Sequence, residues 1–348
     1  MKKVNVLQLI TGLGMGGAEK SVLNLSINLN KNFYNNYVIG LSKRDELLNE
    51  FLENNVNTVL LRKTNSLKDL FVIVKYVNRF IKEKNIQIIH AHMTHSIIIA
   101  SILKILNPNI KIVFTSHSFN MGSKIREIII WLLKPFRNID IIFSKNMFKF
   151  FYKKNYRIIP NGIDISKYEL NINKNKKFTF IAVGRLEKMK NHKLLIEIAN
   201  KLKNKYEFEI WIVGEGYLRE ELENLIYKYD LKDHVKLLGL RNDIPRLLNQ
   251  SHCFVMPSLW EGFPISILEA GASGIPIIST PVGSIPSLIN NKNGYLAEIK
   301  EFEIKMEEVL NNYQQAKEKA IRLKEKTINE YSIQNIVKKH EILYKELI

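Results

Sequence analysis

Short apolar runs recur along the chain, each closed by a turn of small or polar residues and followed by a stretch whose apolar positions return every three or four residues. Runs at 4–10, 38–41, 58–61, 86–90, 110–115 and 140–144 read as strands, with helical patterns such as 67–84 and 97–106 between them. Strands that alternate with helices predict parallel pairing through right-handed crossovers. At 158–164 the sequence IIPNGID interrupts the pattern: Pro160 and Gly162 disfavour both strand and helix, and a lysine-rich polar run follows. A second alternation then begins, with strands at 178–183, 209–213, 235–238, 253–256 and 275–279. The expected organisation is an α/β chain of two doubly wound domains, 1–162 and 163–330. A charged helical tail from Glu301 ends in an amphipathic helix at about 331–348.

The first strand runs into TGLGMGGAE, a glycine loop that opens a helix. Gly12, Gly14 and Gly17 match the spacing of a dinucleotide fingerprint, but Ser42, Lys43 and Arg44 follow the second strand where that fingerprint wants an acid. In the second half, the stretch Glu261 to Glu269, EGFPISILE, follows the strand at 253–256. Ligands of open parallel sheets bind outside the carboxyl ends of the strands. Glu261 is expected on the loop and Glu269 about two helical turns further on, with Gly262, Phe263 and Pro264 shaping the turn. The amides of Ile265, Ser266 and Ile267 would open a helix and offer donors to a phosphate. Carboxylates suit sugar or ribose hydroxyls; the bland alternative is a solvated helix face. After the strand at 178–183, Gly184 permits a tight turn, and Arg185 and Lys190 are expected to aim two cations at one point, as a diphosphate requires. Gly214 marks a similar turn after the next strand.

Length and composition change this picture little: 348 residues with 46% hydrophobic content can bury two cores. Charge changes it more. The net charge is +18, and residues 1–160 carry 24 basic against 9 acidic side chains while 161–348 carry 28 against 25. A basic first half points to nucleic acid, an anionic membrane or a phosphorylated substrate; a lysine-rich solvated surface is the plain alternative. Residues 123–138 and 145–157 interleave basic residues with Trp131, Phe148, Phe150, Phe151 and Tyr152. They read as basic amphipathic helices of the kind that lie on anionic bilayers, or as core helices with polar flanks. No segment is long and apolar enough to span a membrane. The single Cys253 sits in a strand and fits a reducing cytosol. His90, His92, His95 and His117 cluster at strand ends without the partners or spacing of a zinc site, so no metal is expected. His117, in TSHS, is the histidine best placed to bond a substrate hydroxyl.

Together, Gly16-Gly17-Ala18-Glu19, Pro160-Asn161-Gly162-Ile163-Asp164, Gly184-Arg185-Leu186 with Lys190, Pro257-Ser258, and Glu261 through Glu269 resemble the family 4 retaining glycosyltransferases. The resemblance spans nearly the whole chain, in the family's order. It implies the GT-B fold, two Rossmann-like domains facing a central cleft, with the last helix returning to the first domain. It also implies that Arg185 and Lys190 bind the donor diphosphate, Glu261 the sugar hydroxyls and Glu269 the ribose. Gly16 and Gly17 would approach donor phosphate or acceptor, and His117 the transferred sugar. Pro264 departs from the family's usual glycine and removes one backbone donor.

The expected function is transfer of a hexose or N-acetylhexosamine from a nucleotide sugar, a UDP-sugar foremost, to a lipid-linked or surface-polysaccharide acceptor. The resemblance further implies retention of configuration, no cofactor, and work at the cytoplasmic face of the membrane. The alternatives are a nucleotide-sugar epimerase of the same fold and a basic nucleic-acid-binding protein. The latter is disfavoured because no nucleic-acid module is recognisable and the cleft carries glutamates.

Overall fold

The computed structural model describes residues 3–64, 66–117 and 122–348; Ser118 of the TSHS turn lies outside them. The chain divides into two compact units, Met1–Gly162 with Ile333–Ile348, and Ile163–Ser332.

The first unit is built on β1 (Val4–Ile10), β2 (Tyr34–Gly40), β3 (Asn57–Leu60), β4 (Ile88–His92), β5 (Lys111–Thr115), β6 (Ile139–Ile142) and β7 (Tyr156–Ile158). All pair in parallel in the order β3-β2-β1-β4-β5-β6-β7. Helices α1 (Gly17–Asn28), α2 (Leu48–Glu53), α3 (Leu67–Glu83), α4 (Met93–Leu106) and α5 (Lys124–Leu132) follow the first five strands in turn. Successive strand residues face opposite ways, so β1 feeds two cores. Leu7 and Leu9 pack with Ile89, Phe114 and the α3–α4 residues Ile73, Val77, Ile97 and Leu103. Val6, with Ile88 and Val113, packs instead against Leu25 of α1 and against Ile336, Val337 and Tyr344 near the carboxyl terminus. Buried apolar side chains of this kind contribute roughly 1.5–3 kcal/mol each, enough to hold that final helix on this sheet.

The second unit carries β8 (Phe178–Val183), β9 (Phe208–Val213), β10 (Val235–Gly239), β11 (Cys253–Met256), β12 (Ile277–Ser279) and β13 (Tyr295–Leu296). Their parallel order is β10-β9-β8-β11-β12-β13. Helices α6 (His192–Leu202), α7 (Arg219–Lys228), α8 (Ile244–Gln250), α9 (Ile265–Ala272) and α10 (Ile285–Leu288) separate the strands, and α11 (Phe302–Asn311), α12 (Tyr313–Tyr331) and α13 (Ile333–Leu347) follow. Helix α12 lies against α9, where a Cβ at Gly271 would come within 2.6 Å of Thr327 Oγ1.

Four departures from the sequence reading have local causes. β7 and β13 are too short to carry a period. Residues 145–157 are not a helix but a 3-10 turn (Lys145–Met147) leading through bends into β7. A buried pair decides this: Arg137 and Asp140 lie 3.2 Å apart, both fully buried. Arg137 donates to Phe151 O at 2.7 Å and Asp140 accepts from Lys153 N–H at 2.7 Å. The two side chains thereby bond backbone groups that helical bonds would otherwise occupy. Phe151 and Tyr152 consequently enter the core, while Phe148 and Phe150 stay exposed. Helix α5 ends at Leu132 and Pro135 occupies the following 3-10 turn rather than continuing it. The terminal helix begins at Ile333, because Ser332 adopts an extended backbone (ψ 143°) and bridges Ile163.

Candidate functional site

Strand order in the second sheet reverses between β8 and β11, and it is outside the carboxyl ends of the strands at such a switch point that open parallel sheets receive ligands. From β8 the chain passes through Gly184 and Arg185 into a 3-10 turn, Lys188–Lys190, closed by Asn191 in the left-handed region (φ 52°). From β11 it passes through Pro257 and Ser258 to Glu261. The two loops meet in an ion pair: Lys190 Nζ lies 2.5 Å from Glu261 Oε1, with side chains 13% and 7% exposed. The Ser258 hydroxyl donates to the same oxygen at 2.7 Å.

Backbone contacts brace the pair from both sides. Gly214 (φ 140°) has no room for a side chain, because a Cβ there would fall 2.1 Å from Gly184 O; the β8 and β9 turns are thus in direct contact. A Cβ at Gly184 would press on Lys190 Cε at 3.0 Å. On the other side, Ser284 Oγ donates to Gly262 O at 2.6 Å, and Thr280 Oγ1 to Ser258 O at 2.6 Å.

Arg185 does not join Lys190 at one point, as the sequence reading expected. Its side chain is 64% exposed and its guanidinium binds Glu187 at 2.8 Å. The acid two residues on offers a nearer partner than Glu261, which Lys190 already occupies. Glu269 is buried in α9 and accepts from Tyr168 Oη at 2.9 Å; burial, then the carboxylate, push the Tyr168 phenol up. Of the three amides expected free at the start of α9, that of Ile267 is taken by Pro264 O at 3.3 Å, which leaves Ile265 and Ser266. Phe263 and Ile267 are buried packing residues, Phe263 against the Tyr331 ring.

In the first unit, Gly16 caps α1 and Gly17 begins it. The Glu19 carboxylate folds back over this helix start, 2.3 Å from where a Cβ on Gly16 would sit. The first sheet reverses its order between β1 and β4, and the polar side chains of those two strands form a connected network. His92 Nε2 lies 2.8 Å from Gln8 Oε1, and His92 Nδ1 lies 2.8 Å from His117 Nε2. Gln8 Nε2 donates to Asn36 Oδ1 at 3.1 Å and to Tyr344 Oη at 3.2 Å. His90 bridges Tyr344 Oη (2.7 Å) and Thr115 Oγ1 (2.8 Å). Burial holds all three rings neutral, His117 down to about 3 and His90 and His92 well below their ordinary value. His117, at the carboxyl end of β5, has a left-handed backbone (φ 59°). With Ser21, Phe143, Asn161 and His340, it borders a small pocket.

The sequence reading did not name Gln8, Tyr344, Tyr168 or Ser258 as site residues. A signal existed for one: Gln8, like the His-Ala-His of β4, is polar in a strand that parallel sheets bury on both faces.

Comparison with known proteins agrees with this architecture. Residues 164–329 match the family model of glycosyl transferases group 1, and residues 15–167 that of glycosyltransferase family 4. The chain is 29% identical over 296 residues to the Escherichia coli UDP-Gal:alpha-D-GlcNAc-diphosphoundecaprenol alpha-1,3-galactosyltransferase, covering 76% of each protein. It is 27% identical to an uncharacterized glycosyltransferase of Haemophilus influenzae, over 97% of this chain and 98% of that one. Among solved structures, Anabaena Alr3699/HepE in complex with UDP superposes with a TM-score of 0.87 at 18% identity, over 99% of this chain and 100% of the other. A glycosyltransferase from Rickettsia africae does so at 0.87 and 18%, over 100% and 99%.

Proposed function

Because the chain belongs to the family 4 glycosyltransferases of the GT-B fold, we propose that it moves a hexose or N-acetylhexosamine from a UDP-sugar to a hydroxyl of a lipid-linked or surface-polysaccharide acceptor, with retention and without a metal. The observation that carries this reading is the Lys190–Glu261 pair at the switch point of the second sheet.

Breaking the bond between an anomeric carbon and a nucleoside diphosphate develops negative charge on the leaving oxygen, which a preorganised cation stabilises. Lys190 is such a cation, held in place by Glu261. Arg185, exposed on the same loop, joins it by exchanging Glu187 for a phosphate oxygen. The amides of Ile265 and Ser266 add helix-start donors, Gly184 and Gly214 let the backbone approach, and Glu269 receives the ribose. Glu261 keeps its second carboxylate oxygen for a sugar hydroxyl. In the first unit, His117 is assigned to a hydroxyl of the transferred sugar and Gly16 and Gly17 to the donor phosphate or acceptor.

The UDP named with the Anabaena structure and the diphosphoundecaprenol named for the Escherichia coli relative support the donor and acceptor classes. Peripheral association with the cytoplasmic face of an anionic membrane rests on α5, whose Ile125, Ile128, Trp131 and Leu132 are exposed beside Lys124 and Arg126. The test is a panel of nucleotide sugars with membrane lipid extract, read as release of free nucleoside diphosphate. Loss of transfer in Arg185→Ala and Glu261→Ala with the fold retained is expected; full activity in both refutes the assignment. Isomerisation of donor supplied alone would show an epimerase instead.

A further inference from the structure

The polar network inside the first sheet has a direction, and it ends on an atom with nothing to bond. Each neutral imidazole carries one N–H, so whichever nitrogen donates leaves the other as an acceptor. Gln8 Nε2 gives its hydrogens to Asn36 Oδ1 and Tyr344 Oη. Gln8 therefore presents its carbonyl oxygen to His92 Nε2, which must be the protonated nitrogen. His92 Nδ1 is then a bare acceptor, and the atom facing it at 2.8 Å, His117 Nε2, must carry a hydrogen. That leaves His117 Nδ1 as a lone pair. It is buried and meets no hydrogen-bond partner among the described residues.

We propose that Gln8, acting through His92, is a positioning residue that fixes His117 in its Nε2–H tautomer, so that Nδ1 is a preset acceptor for a ligand hydroxyl and rejects a phosphate oxygen. A phosphate brings only acceptors, and a lone pair aimed at one is repelled. A sugar hydroxyl brings the donor the atom lacks. The backbone of His117 reinforces the fixed orientation, since a non-glycine residue in the left-handed region (φ 59°) is held there by its surroundings. The ring resists protonation, so Nδ1 receives a hydrogen bond and does not take up a proton. The inference rests on the transferase reading only for the ligand being a sugar; the tautomer stands independently of it.

The tautomer is read directly in protein labelled with 15N-histidine, from the nitrogen shifts of the ligand-free wild type, with His117 assigned by its loss in a His117→Phe variant. His117 protonated at Nε2 and bare at Nδ1 is expected. A His117 N–H on Nδ1 overturns the proposal without any variant having to fold. In Gln8→Leu, which removes the acceptor at the head of the chain, His92 and His117 should become tautomer mixtures; an unchanged spectrum removes Gln8 from the role. In transfer assays, Gln8→Leu should lower kcat about tenfold, the worth of one hydrogen bond, and leave UDP affinity within about twofold, because UDP lacks the transferred sugar whose hydroxyl His117 would bond. Among singly deoxygenated donors, one should be turned over equally by wild type and Gln8→Leu. If every deoxy donor shows the same loss, His117 does not read a sugar hydroxyl. Absence of transfer with any nucleotide sugar would sink the transferase reading and leave the tautomer result standing.

Discussion

Removing the charges of Lys190 and Glu261 singly and together isolates what the pair contributes. Lys190→Met keeps the stem that packs on Gly184, and Glu261→Gln keeps an acceptor for Ser258. At the observed 2.5 Å the Coulomb attraction in an effective dielectric of about 20 is about 7 kcal/mol. With side chains only 13% and 7% exposed, desolvation takes back several kcal/mol, so a net coupling of about 2 kcal/mol is expected. Lys190→Met should be the costlier single change, about 3 kcal/mol, because it strands the more buried carboxylate with Ser258 alone. Glu261→Gln should cost about 1 kcal/mol, since the freed ammonium can hydrate. Urea unfolding of the four proteins closes the cycle. A coupling below about 0.5 kcal/mol, the scatter of independent sites, would refute the contact. Function should divide the same pair differently. Lys190→Met should lose UDP affinity about tenfold or more, whereas Glu261→Gln, which removes an anion from beside a diphosphate, should hold or improve UDP affinity and still lose turnover. Loss of UDP binding in Glu261→Gln would show that Glu261 serves the nucleotide and not the sugar.

Gly214→Ala places a Cβ on the Gly184 carbonyl at a φ that L residues avoid. It should cost about 2–4 kcal/mol and lower Tm by roughly 5–10 °C, read by calorimetry; a neutral result would mean the two turns are not in contact. Acid should destabilise the fold. Burial pushes His117 and His192 down to about 3 and His340 to about 4, from 6.5. The unfolded chain therefore binds more protons between about 4 and 6.5, and the stability these groups contribute is full above 6.5 and lost as pH falls. Between 6.5 and 5.5, where the unfolded imidazole goes from half to nearly fully protonated, the loss is about 1 kcal/mol for each histidine, or about 3 kcal/mol for three. Asp140, raised to about 6 by burial, runs the other way and offsets a minor part. A urea midpoint as high at pH 5.5 as at 7 would contradict the buried neutral rings. Ile128→Glu with Trp131→Glu on α5 should abolish sedimentation with anionic vesicles and leave the fold intact, since both side chains are half exposed; undiminished sedimentation would move the membrane face elsewhere.

The sequence alone determined the two alternations of strand and helix, the interruption at Pro160–Gly162, and the turns that hold Gly184, Lys190, Gly214 and Glu261. Each is written in short-range periodicity and in residues with restricted or permissive backbones. Only the tertiary structure decided which side chain meets which. Lys190 chose Glu261 because β8 and β11 are neighbours, and Arg185 was left to Glu187. Tyr168 reached Glu269 across 101 positions, and Gln8 reached Tyr344 across 336. Residues 145–157 were misread as a helix because a buried arginine and aspartate outweighed local pattern. Periodicity reports which face of an element is buried; strand order and register, set by the whole chain, fix the partner on that face.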